Sequence, residues 1–437
     1  MKSVNFCKAM MLSLALLVVF SFAACSKKSD AAGAGSADAP KVITFWEIQT
    51  EKAVDAIIDD SIARFEKANP GFKVEKNILQ NEDYKSKIVV ALGSNTEPDI
   101  FLTWTGGGMI EYINADKIIP LTKYLNVDNY KNYFMDAGIA QATYKNDIWS
   151  IPVENCSVAG IFYNKRLFAE NGIQVPTTIS ELEAACDKFV AKGIIPFALA
   201  NKAKYVASFY YMYLVDRYAG PQVFADASNR VNGVTFNDEA FLWAGKKMQE
   251  WARKGYFGQG YNSLDGETGA HRQMFYNGEG AMVLDGAWTV STFYDEEAPI
   301  DDISLFPFPA VEGGKGDVNA MVGTVGDNFY CVSSRSPYPD QAFELIKYLI
   351  DEPAVKSRIG VGRVPPTKNA SAGNPLNATV LSMLQKAPTI QLWYDQYLPS
   401  AMGEIHKDQL QALVGLSITP EQYNAAMEQA AQTYLGK

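Results

Sequence analysis

Apolar residues recur every three or four positions over residues 52–68, where Val54, Ile57, Ile58, Ile62 and Phe65 share one face of a predicted helix. Asn69-Pro70-Gly71 stops it, and residues 72–78 then alternate as a half-buried strand does. With the short apolar run 42–46 before the helix, this reads as a β-α-β unit, which favours a right-handed crossover and a parallel pair. A second helix is predicted over 83–92, with Tyr84, Ile88 and Leu92 in register, and a third strand runs from Pro98 to Trp104, just before Gly106-Gly107-Gly108. Further along, strands are predicted over 148–153 and 159–163, joined by a link that holds Glu154 and Asn155. Helices over 165–170 and 181–192 follow, with Thr178 and Glu181 spaced as a capping box and Gly193 suited to the stop. A longer periodic helix over 238–254 carries Trp243 and Trp251 as packing residues, and Trp149 reads the same way. Strands that alternate with helices make the fold class α/β.

A chain of 437 residues suggests two lobes rather than one small domain. The formal net charge of −10, with no basic cluster interleaved with aromatics, argues against nucleic acid or an anionic lipid surface as partner. Of the five cysteines, Cys156, Cys186 and Cys331 remain once the N-terminal two are set aside; three cannot all pair, and their spacing fits no metal template. Cys186 and Cys331 fall on apolar faces and read as buried thiols. His271 and His406 are far apart with no carboxylate pattern around them, so neither metal nor other cofactor is expected.

Residues 1–24 have the pattern of a secretory signal peptide: Lys2 and Lys8, then an apolar run broken only by Ser13 and Ser21 and too short for a membrane span. Phe22-Ala23-Ala24-Cys25 resembles a bacterial lipoprotein box, although Phe22 stands where leucine is usual. That resemblance implies lipidation of Cys25 as the first residue of the mature protein; the alternative is a signal cut after Ala24 with no lipid. Residues 25–40 are mainly Ala, Gly, Ser and Asp and read as a flexible tether.

A wider resemblance runs through residues 41–437. FEKANPGFKVE (from Phe65), TEPDIF (from Thr96), the IP strand at Ile151-Pro152, YNK at Tyr163 and the Gly-Ile-x-x-Pro-x-Thr turn from Gly172 come in order. MFYNGEGAMVLDGAW (from Met274), FPFPAVEGG (from Phe306), GRVPPTKNA (from Gly362) and LSITPEQYNAAMEQA (from Leu416) follow. Each motif is weak alone; in this order they resemble the family 1 extracellular solute-binding proteins, sugar receptors of ABC importers of the maltose-binding-protein type. The resemblance implies a two-lobed periplasmic-binding-protein fold of class II type with a hinge and an interlobe ligand cleft. Lobe 1 would be 41–156 with 310–363 and lobe 2 would be 157–309 with 364–437, the chain crossing near 154–160, 306–310 and 363–366. It also implies a monomeric, non-catalytic receptor outside the cytoplasm, in the periplasm or on the cell surface. Its partners would be a carbohydrate, the transmembrane permease subunits of an importer and, through the lipid, the membrane.

A pyranose has an apolar C–H face and a rim of hydroxyls, so it is held by aromatic plates and by carboxylate, amide or guanidinium groups. Strand ends and helix starts in the family pattern nominate Trp46, Glu47, Gln49, Trp104 and Trp288, the last after Gly286. Tyr394, preferred to its neighbour Trp393, and Asp395 are nominated from QLWYDQ. Glu154 and Asn155 are nominated on the predicted hinge, with a backbone hydrogen bond there as the competing role. Arg363 is presented between Gly362 and Val364-Pro365-Pro366, with an interlobe salt bridge as its alternative, and Asp327 lies beside Gly323 and Gly326. A secreted glycoside hydrolase would also need aromatics and two carboxylates, for example Glu154 and Asp395, but no nucleophile elbow, phosphate loop or metal spacing is visible. A polyamine receptor would want mostly acids and a sugar-phosphate receptor more bases; the mixed set fits a neutral sugar, and several plates suit more than one ring.

Overall fold

The protein is described by a computed structural model that covers residues 40–436; Cys25, the signal and most of the tether lie outside the described residues. β1 (Lys41–Glu47), α1 (Lys52–Ala68) and β2 (Phe72–Ile78) form the predicted unit, with β1 and β2 parallel from the pair Lys41–Phe72 to the pair Glu47–Ile78. α1 buries Val54, Ile57, Ile58 and Phe65 on one face. α2 (Asn81–Ser94) leads to β3 (Ile100–Thr103), parallel to β1, and α3 (Gly107–Asn114) follows.

A small hairpin, β4 (Thr143–Tyr144) with β5 (Asp147–Ile148), precedes β6 (Ile151–Pro152) and the long β7 (Asn155–Asn164). The remaining strands are β8 (Ile195–Phe197), β9 (Gly280–Gly286), β10 (Ile303–Phe306), β11 (Met321–Gly326), β12 (Phe329–Val332) and β13 (Ile390–Gln391). They form two main sheets. The first has the order β2-β1-β3-β12-β6; the second has β13-β11-β7-β9-β8, with β10 also paired to β7.

The chain therefore passes between sheets at Val153–Glu154 and again between β11 and β12, at Asp327 and Asn328. The second crossing was expected earlier, at 306–310. It comes later because β10 and β11 both hydrogen-bond to β7, which keeps residues 303–326 with the second sheet. The link expected around Glu154 and Asn155 also differs: Asn155 already belongs to β7. Nine of that strand's ten residues are buried, since β9, β10 and β11 flank it, so no polar alternation marks it.

Each sheet has its own core. Phe45, Phe65, Phe101, Leu102, Tyr330 and Phe343 pack in the first lobe. Phe197, Tyr210, Tyr213, Trp251, Leu284 and Phe308 pack in the second. The helix Glu239–Arg253 starts on the cap Asp238 and buries Trp251 completely; Trp243 packs on the same core, and Trp149 on the first. The helix Ile179–Ala191 carries the predicted Thr178–Glu181 capping box. Cys156, Cys186 and Cys331 are buried free thiols.

Candidate binding cleft

Between the lobes lies a cleft of about 340 Å³, lined mainly by strand ends and helix starts. The first lobe contributes Gln49, Thr50 and Glu51 after β1, Gln80, Asn81 and Lys85 from the start of α2, and Trp104 after β3. The second contributes Tyr205 and Phe209 from the start of the helix Tyr205–Ala219, Trp288 after β9, and Trp393 with Asp395 at the helix Tyr394–Tyr397. Asp327, Asn328 and Arg363, on the crossing segments, complete it.

Three rings of the second lobe form a tilted box. Phe209 lies 4.5 Å from Trp393 at 42° and 6.0 Å from Trp288 at 60°, and the two indoles are 5.7 Å apart at 60°. Trp288 folds back over the end of its own strand. A Cβ on Gly286 would stand 2.2 Å from the indole, so only glycine leaves that room. Trp104 closes the other side, edge-on to Tyr84 at 5.9 Å, with the Lys85 ammonium 5.2 Å from its centroid and 5.6 Å from that of Tyr205. Such rings offer apolar faces and cation–π capacity at once.

Polar groups converge on Arg363, which is only 1% exposed. Its Nη2 donates to Gln49 Oε1 (3.2 Å) and Glu51 Oε1 (3.0 Å), and Nη1 lies 3.8 Å from Asp327 Oδ2. Burial pushes the Asp327 carboxyl up to about 7 although Arg363 pulls the other way. Asp327 takes a left-handed backbone conformation (φ 55°). Gln49, Trp104, Trp288, Asp327, Arg363 and Asp395, all nominated from the sequence, thus line one space.

Five nominated residues do not line it. Tyr394 is the clearest correction: its ring stacks on Phe224 (3.4 Å, 5°) inside the second core, and its neighbour Trp393, buried in that same core, is the one of the two that reaches the cleft wall. Trp393 is the extended N-cap residue (φ −47°, ψ 134°) and Tyr394 is the first residue of the helix, so the backbone turns between them and sends the two rings in different directions. Trp46 packs against the first core. Glu154 is fully buried, paired to Arg358 (3.0 Å) and accepting from the Tyr330 hydroxyl (3.1 Å). Burial alone would raise its carboxyl, but Arg358 and then Arg363 hold it below the usual range. Asn155 takes the competing role foreseen for it: its Oδ1 accepts from Val364 N (2.7 Å) and its Nδ2 donates to Ser157 Oγ (3.2 Å), tying two crossing segments together. Glu47 is also wholly buried. One oxygen accepts from the Gln49 backbone N–H, the other has no partner among the described residues, and burial pushes the group up to about 8.

Sequence reasoning missed Lys85, Tyr205, Phe209, Glu267, Arg272 and Trp393 in the lining. Tyr205 and Phe209 open YVASFYYMYLVDRYA, whose near-continuous apolar character signals core and hides a cleft-facing end. Lys85 and Arg272 read as surface charges on ordinary helices.

The lobes also touch outside the cleft. Glu111 of α3 accepts from the backbone N (2.9 Å) and the Oγ (2.6 Å) of Ser400, the first residue of the helix Ser400–Val414 that packs in the second core. Gly107 makes this approach possible: a Cβ there would lie 2.0 Å from the Leu398 carbonyl oxygen. Thr292 Oγ1 donates to Glu51 Oε1 (3.2 Å) across the cleft.

A family model described as bacterial extracellular solute-binding protein matches residues 48–356. The chain belongs to that family. Members are binding proteins that work outside the cytoplasm, and the two sheet-bearing lobes with a cleft between them agree with that membership. An uncharacterized ABC transporter extracellular-binding protein of Pyrococcus horikoshii is 24% identical over 364 residues, covering 80% of this chain and 77% of that one. The multiple sugar-binding protein of Streptococcus mutans is 22% identical over 330 residues, 74% of each chain. A structure from work on xylan utilization by the thermophile Caldanaerobius polysaccharolyticus is 30% identical with a TM-score of 0.83, covering 89% of this chain and 99% of that one. A chitin oligosaccharide binding protein shares the fold at 24% identity, with a TM-score of 0.83 and coverage of 91% and 100%.

Proposed function

We propose that this protein captures a sugar, most suitably an oligosaccharide, between its two lobes and hands it unchanged to the permease subunits of an ABC importer. The observation that carries the reading is the cleft itself. Trp288 offers a partly exposed ring from one lobe, backed by Phe209 and Trp393, Trp104 lines the cleft from the other, and Gln49, Arg363, Asp327 and Asp395 supply hydrogen-bonding rims between. Aromatic faces strip water from C–H surfaces, and charge-assisted bonds replace the water lost from hydroxyls. The sugar-binding relatives and neighbours support the choice of ligand class.

The proposed ligand set is therefore Gln49, Trp104, Trp288, Trp393, Asp327, Arg363 and Asp395, with Glu154 and Asn155 holding the hinge. The protein acts as a monomer, anchored through lipid on Cys25 after removal of residues 1–24. A thermal-shift screen against xylo-, chito- and galacto-oligosaccharides tests the ligand class, because a ligand bound only by the folded state raises Tm. The sugar recovered after long incubation should chromatograph as the starting compound; shortened products would speak for a hydrolase. Cys25→Ser should release the protein from the membrane fraction or block its processing, and normal processing with membrane retention would contradict the anchor.

A further inference from the structure

Each cation that lines the cleft is already bonded to a carboxylate of the protein. Lys85 donates to Glu82 Oε1 (2.9 Å) and lies between the Trp104 and Tyr205 rings. Arg272 grips Glu296 through Nε (2.9 Å) and Nη2, and its Nη1 reaches the Gly266 carbonyl (3.4 Å). Arg363 is bonded to Gln49 and Glu51 through Nη2 and faces Asp327, while its Nε, closed off from solvent, has no partner among the described residues. Behind the lining, buried Lys407 pairs with Glu404 (2.6 Å).

Three lining carboxylates are not engaged in this way. Glu267 and Asp295 are exposed and Asp395 is partly buried; among the described residues none makes an ion pair within 4 Å, the fields of Lys407 on Asp395 and of Lys202 on Glu267 aside. A ligand carboxylate or phosphate would find, among the described residues, each lining guanidinium and ammonium already facing a protein carboxylate, and would sit among these acids in a protein whose net charge is already −10. A protonated amine would meet acids that hold no ion pair within 4 Å among the described residues, and the partly exposed Trp288 ring suited to cation–π contact.

We infer that the cleft selects its sugar by charge: it accepts neutral and amine-bearing oligosaccharides, excludes those carrying a uronate or phosphate, and uses Glu267, Asp295 and Asp395 as specificity-determining residues. This rests on the sugar reading above. Exclusion here works through a repulsive element, which discriminates without adding any contact to the accepted ligand.

Calorimetric titration of matched oligosaccharides tests it. Xylo-oligosaccharides with and without one glucuronic acid, galacto-oligosaccharides against oligogalacturonates, and chitin against chitosan oligosaccharides of equal length are the probes. On the backbone that binds, the uronate form should bind at least about tenfold more weakly than the neutral form at low salt. Raising ionic strength to about 0.3 M should narrow that gap, because the repulsion crosses partly solvated space. The double variant Glu267→Gln, Asp295→Asn should narrow it too, and as both side chains are exposed the core is untouched. The amine form should bind at least as tightly as the neutral one. A uronate that binds as tightly as its neutral partner at low salt, or a gap that neither salt nor the double variant changes, overturns charge selection and leaves the sugar reading standing. Silence from every member of the panel, neutral ones included, overturns both.

Discussion

At the scale of single residues the cleft separates binding from folding. Trp288 is only partly buried, whereas Trp251 is fully buried in the second core. Trp288→Ala should weaken sugar binding by about 2–4 kcal/mol, a hot-spot loss that exceeds the stacking increment alone. The same change should cost apo stability less than Trp251→Ala, for which about 3–5 kcal/mol is expected. Affinity and urea unfolding measured on both variants check this; unchanged affinity for Trp288→Ala would make it a packing residue. Glu47 carries a pH signature. Its folded-state value near 8 lies above the ordinary 4.5, so the protonated form is the folded form's preference. The stability it supports is complete below about pH 4.5 and is lost as pH rises through about 8. Glu47→Gln should therefore gain on the wild type across that window, by on the order of a few kcal/mol at the plateau above it. A difference that stays flat with pH would mean that Glu47 is ionised in the folded protein. Trp288 was legible because Gly286 precedes it at a strand end. The choice between Trp393 and Tyr394 was not, because it turns on Phe224, a partner that lies 170 residues earlier and stacks on only one of them.

At the scale of elements, the Glu111–Ser400 contact is a clasp between lobes. A carboxylate of the first lobe caps the N-terminus of a helix in the second, where free N–H groups and the helix dipole favour negative charge. Glu111 does not line the cleft, so its effect on binding is through closure alone. Glu111→Ala should lower affinity about two- to thirtyfold, the range that corresponds to loss of a cap. It should also enlarge the apo particle in small-angle scattering. Normal affinity with unchanged scattering would remove the clasp from the account. Amphipathic helices and the parallel β1–β2 pair were readable because one face of each is wet and the period shows. β7 was misread at its start because flanking strands bury nearly all of it, and the second crossing was misplaced because pairing of β10 and β11 to β7 is non-local.

At the scale of the whole molecule, two lobes with separate cores can move against each other while crossing segments, the third of them the return from β12 to β13, keep them in register. Asn155, bonded to Val364, and the Glu154–Arg358 pair stiffen those crossings, and Arg363 bridges them to the first lobe. The α/β class and the two-lobed plan could be read from strand–helix alternation, length and the order of motifs. How far each lobe reaches along the chain could not, because sheet membership is decided by distant partners. If a sugar closes these lobes on itself, titration of neutral oligosaccharides followed by calorimetry at several temperatures will register it. One saturable site with a negative heat-capacity change, as expected for apolar rings leaving water, and strongly weakened in Trp288→Ala, is the predicted result. No heat from any neutral sugar, or binding that Trp288→Ala leaves untouched, would contradict it.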